Sequence, residues 1–93
     1  MFTITSTAAY KLNDLLKELS DSEAKCLRLE VRDCQAMLTL DEPRDFDQVF
    51  VVGDRKVLVA DATTCDECSQ VHLDCGSAGN FALVYSGNRF ELN

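Results

Sequence analysis

The chain has 93 residues, 46% hydrophobic and 27% charged, the make-up of an ordinary globular protein with room for one domain over residues 1–93. Sixteen acidic against nine basic residues give a net charge of −7, which repels a nucleic-acid backbone or an anionic membrane surface, and no run of Lys and Arg offers a local exception. No apolar stretch approaches the ~20 residues that would span a bilayer.

The opening "MFTITSTAAY" lacks the basic start and apolar core of a secretory signal, so the cytoplasm is the expected compartment. Thiols are kept reduced there. Five cysteines, an odd number, read as free thiols or thiolates rather than as a disulfide framework.

In chain order, Met1 to Thr5 is short and β-prone. Thr5 or Ser6 can cap the helix that follows. Ala8, Leu12, Leu15, Leu16 and Leu19 recur at helical spacing, with Lys11, Asn13, Asp14, Lys17 and Glu18 between them. That pattern predicts an amphipathic helix of about four turns, ending near Ser20–Ser22.

From Cys26 the period becomes two. Leu27, Leu29 and Val31 alternate with Arg28, Glu30 and Arg32, which predicts a half-buried strand. "DCQA" at 33–36 is expected to interrupt it, and "MLTL" to resume. The loop "DEPRDFDQ" carries Asp41, Glu42, Asp45 and Asp47 around Pro43. A solvated turn is the usual meaning of such a stretch. Calcium binding is the rarer one, and the spaced D-x-D-x-D-G pattern of a dedicated calcium loop is missing.

"VFVVGDRKVLVA" holds two β-branched runs about Gly53-Asp54, a two-residue hairpin signal. "DATTCDECS" is polar, with space for a single helical turn. "VHLDC" alternates again, with Val71, Leu73 and Cys75 on one face. "FALVYS" and "RFELN" read as a last hairpin across Gly87-Asn88. The fold class is α+β, mainly β: one N-terminal amphipathic helix on a sandwich or flattened barrel of about seven short, mostly antiparallel strands.

"TTCDECSQVHLDC", residues 63–75, concentrates the chemistry, with Cys65-x-x-Cys68, Cys75 and the sole histidine, His72. Three readings stay open. As metal ligands, thiolates suit zinc or iron, and Cys34 or His72 would complete a set of four. His72 and Cys75, however, sit three apart on an alternating strand and face opposite sides. As a redox pair, Cys65 and Cys68 lack a nearby cation and enclose Asp66 and Glu67, which disfavour thiolate. As structural residues, free cysteines behave like small apolar side chains, and Cys26 and Cys75 fall at core positions. His72 reads as an exposed strand residue. No serine or cysteine stands in the setting of an activated nucleophile, so a non-enzymatic protein is expected.

Taken in order, "FTITSTAAYKLNDLL", "LRLEVRDC", "LTLDEP" and "VFVVGDRKVLV" resemble the HesB/IscA-like iron–sulfur cluster biosynthesis domain from about residue 2 to 60. That family opens on an I-T-x-x-A-A entry into a helix. A strand then leads to a loop cysteine, followed by an L-x-x-D-E-type strand end and a V-x-V-x-V hairpin. "GNFALVYSGNRFELN" is similar to the ending of a small, divergent core-domain branch.

The resemblance implies a role in iron–sulfur assembly or iron handling, with protein partners from that machinery and a homodimer as one arrangement. Cys34 is the residue it carries over. The loop "RDCQAM" lacks the family's glycines, and the sequence holds no Cys-Gly-Cys. The implied iron or cluster ligands are Cys34, Cys65 and Cys68, with Cys75 as a further metal donor, or with ligands shared between subunits. The alternatives are a protein-interaction or structural module without metal on the same fold, and a small zinc domain built on Cys65-x-x-Cys68.

Overall fold

A computed structural model describes residues 1–20, 22, 24–32 and 35–92. The order of elements is β1 (Thr3–Ile4), α1 (Ser6–Leu19), β2 (Cys26–Arg32), β3 (Gln35–Asp41), β4 (Gln48–Val52), β5 (Arg55–Ala60), α2 (Ala62–Glu67), β6 (His72–Cys75), β7 (Phe81–Tyr85) and β8 (Asn88–Glu91). The strands form two open four-stranded sheets, ordered β1-β6-β7-β8 and β3-β2-β5-β4, rather than a closed barrel.

α1 begins where its cap predicts. Thr5 is extended, its backbone carbonyl accepts from the Ala9 amide, and its hydroxyl oxygen accepts from the amide of Ala8 at 3.1 Å. The same hydroxyl donates to Asp74 Oδ1 at 2.9 Å, so the cap also ties the helix to β6. Ala8, Leu12 and Leu16 form the buried stripe. They meet Leu27, Leu29, Leu58, Leu73 and Leu83 from the two sheets in one core. Phe2 reaches Phe50 edge to face, with ring centroids 5.6 Å apart.

Four of the six strand pairings are antiparallel. The exceptions are β1 with β6 and β2 with β5, both parallel. The β2–β5 pairing has a consequence. It puts β3 and β4 at opposite edges of their sheet, so residues 42–47 must travel from one edge to the other.

The short β-prone start is an eighth strand, β1, whose two residues pair with β6. Gln35 and Ala36, expected in an interruption, pair with Arg32 and Val31. The single helical turn allowed for in "DATTCDECS" is a six-residue helix, Ala62–Glu67, started by Asp61, whose carboxylate accepts from the Thr64 amide at 2.8 Å. The last hairpin turns on Ser86-Gly87, both at positive φ, and Asn88 already pairs with Tyr85. Two successive left-handed residues give the twist that a tight two-residue hairpin requires.

A candidate thiol site at the end of the second helix

Asp61 starts α2 and sets the direction of the cysteine-bearing turn. Cys65 and Cys68 lie three residues apart, and Cys68 closes the helix. Cys65 is half-buried. Its thiol donates to Gln48 Oε1 at 3.2 Å and lies 3.8 Å from the carbonyl oxygen of Ala60. Cys68, only 2% exposed, belongs to the hydrophobic core.

Burial pushes the Cys68 thiol up to about 11, helped by the neighbouring Cys65 and the charge of Glu67. Cys65 is also raised, first by burial and then by Asp61 and Asp66. Cys26 is raised mainly by burial. Thiols held protonated in this way are poor nucleophiles, the opposite of an activated redox pair.

Cys68 opens on an apolar cleft of about 500 Å³. One wall is the β2–β3 ladder, through Val31, Gln35 and Ala36. The other comes from Val71, Leu83, Tyr85 and Phe90. Gln35 follows Cys34 in the sequence, but Cys34 itself lies outside the described residues.

Cys75 is placed elsewhere. It is buried on β6 and borders a separate hollow beside α1 and the 76–79 turn, where its thiol lies 3.6 Å from the Gly76 carbonyl oxygen. His72 is half-buried rather than exposed, because β1 and β7 flank it on both sides. Leu73 and Cys75 are buried on β6 while His72 and Asp74 are only half-buried, the alternation expected of a strand.

The four described cysteines are all free thiols. Among the described residues, no three His, Cys, Asp or Glu side chains are grouped so that they could hold one ion. A closed zinc site or a cluster needs four donors, and those described here do not supply them within one chain.

The acidic loop is where the sequence reading missed most. Asp41 and Asp47 do not stand in a solvated turn but grip Arg28, which the alternation of β2 had assigned to a polar face. Arg28 Nε donates to Asp41 at 2.7 Å. Its Nη1 and Nη2 donate to the two Asp47 oxygens at 3.0 and 2.6 Å, and Nη2 also reaches the Glu42 carbonyl at 3.2 Å. The side chains of Arg28 and Asp47 are each 2% exposed. The bidentate contact to Arg28 holds the Asp47 carboxyl below its ordinary range. Asp41 is lowered first by the Glu42 amide and then by Arg28. Arg28 is thus the peg over which residues 42–47 cross the sheet.

No protein-family model and no curated protein matches the sequence. The fold is nonetheless HesB/IscA-like. Escherichia coli SufA, a protein involved in biosynthesis of iron–sulfur clusters, superposes with a TM-score of 0.63 at 20% identity, over 94% of this chain and 87% of SufA. A candidate Fe-S biosynthesis protein from Lactobacillus acidophilus aligns over 99% of this chain and 83% of its own at 14% identity, with a TM-score of 0.49.

Proposed function

We propose that this chain serves iron–sulfur cluster assembly or iron handling as a non-enzymatic cytoplasmic protein. In this reading it acts through contacts with other proteins of that machinery, and the four described cysteines do not carry a cluster. The observation that carries the assignment is the fold shared with SufA over nearly the whole chain. What favours the absence of a resident cluster is the dispersal of the thiols. Cys65 and Cys68 sit at the end of α2, while Cys75 borders a different hollow.

Two experiments separate the parts of this reading. Deletion of the gene is expected to lower the activity of cluster-dependent enzymes at unchanged polypeptide levels. Expression of the chain should restore it. Unchanged activity after deletion removes the assembly role. Anaerobic reconstitution with iron and sulfide then addresses the thiols. A Cys65→Ser/Cys68→Ser variant should rescue as well as the original chain and show the same visible absorption. A cluster chromophore lost in that variant, together with rescue, would make these two residues ligands. A chromophore lost only in Cys34→Ser would assign it to the loop cysteine.

A further inference from the structure

We propose that the chain binds a small dianionic oxyanion in the concavity between α1 and the β4–β5 hairpin. The sequence shows no basic cluster, yet the fold assembles one. Asn13 and Lys17 on one face of α1 meet Val52, Asp54, Arg55 and Lys56 around a hollow of about 480 Å³.

Lys25, Arg28, Arg32, Arg44 and Arg89 each hold a carboxylate. Lys11 lies apart, against Gly79. Among the described residues Lys11 has no carboxylate partner, and neither do Lys17, Arg55 and Lys56, which all line this one hollow. Among the described residues that line it, only Asp54 stands against them, an excess of two positive charges in that lining.

Arg55 supplies the second, independent sign. One of its amino groups donates to the Ser22 carbonyl at 3.3 Å, while its Nε is shut off from solvent and has no hydrogen-bond partner. It is the sole buried side-chain nitrogen or oxygen so left among the described residues. A donor buried without an acceptor is costly, and a guanidinium edge matches the oxygens of a phosphate or carboxylate. Binding requires a small side-chain shift that brings the buried Nε to a bound oxygen. Lys17 and Lys56, both exposed, add point charges from opposite walls.

Phosphate monoesters and dicarboxylates share this chemistry. Inorganic phosphate and malonate, titrated separately into the full chain at constant ionic strength, distinguish them. The readout is the amide shifts of Asn13, Arg55 and Lys56. Saturable shifts with either probe, absent with chloride, are expected, and the tighter probe names the source.

Arg55→Gln should weaken binding about tenfold or more, the scale of one charge-assisted contact. Lys56→Gln, at an exposed position where folding is not at stake, should weaken it severalfold, and Lys11→Gln should leave it unchanged. Three results would overturn the proposal. One is shifts no larger than those of chloride, which mean an adventitious ion only. Another is a Lys56→Gln chain that binds as tightly as the original. The last is an acidic peptide that occupies the hollow without competition from phosphate.

Discussion

Residue by residue, the sequence spoke clearly about apolar positions and misled about one charged one. Cys75 falls on the core face of an alternating strand and is buried; Cys26 is buried as well, on the face it shares with Arg28. Arg28 alternates with apolar neighbours and reads as surface. Its partners stand 13 and 19 residues further on, a distance that no local pattern spans. The clasp has a testable cost. Asp47→Ala should destabilise the chain by about 3 kcal/mol in urea unfolding. That is the lower end for breaking a buried pair, because Asp41 still holds Arg28 Nε.

Acid should act on the same contact. The folded carboxyl of Asp47 lies below its unfolded value, so its contribution is full above the unfolded pKa and is lost as pH falls through the folded one. Stability should therefore begin to fall at roughly pH 5 and keep falling towards lower pH. Asp47→Asn should shallow that slope. Asp41, Asp61 and Asp74, all lowered too, keep it from vanishing. An acid slope identical in Asp47→Asn and the original chain would mean that Asp47 is not the linked group.

At the level of elements, local signals placed most boundaries to within a residue or two. A capping hydroxyl and a leucine stripe gave α1, and Gly53-Asp54 gave the β4–β5 hairpin. What local signals could not give was partnership. The parallel β2–β5 pairing joins strands separated by β3 and β4, and β1 is too short to show a period at all. The candidate site inherits that limit. The sequence shows Cys65 and Cys68 together, but not that an apolar cleft opens beside Cys68, since its walls come from four strands and the segment at the end of α2. α1 offers a test of local coding. Thr5→Ala removes the oxygen that accepts from Ala8 and the donor to Asp74, and should cost about 1–2 kcal/mol by thermal or urea unfolding. Thr5→Ser keeps both contacts and should recover most of it. Equal losses in the two variants would show that the methyl group, not the cap, matters.

Across the whole molecule, α1 and the inner faces of the two sheets converge on one apolar core of Leu, Val, Phe and Ala with two cysteines at its edge. Such a core stands without an ion. In a small zinc domain, by contrast, folding free energy is metal-binding free energy, and chelation unfolds the chain. The two cases predict different responses to the same treatment. With the described thiols dispersed over separate places, a chelator should leave the unfolding midpoint of freshly purified protein unchanged. Added zinc should not raise it, because a ligand stabilises only in proportion to its preference for the folded chain. The measurement is thermal unfolding with and without chelator, alongside elemental analysis of the same sample. A midpoint that drops on chelation and returns with stoichiometric zinc would mean that Cys65-x-x-Cys68 finds further donors, in this chain or in a second copy, and would replace the interaction reading with a metal-dependent one.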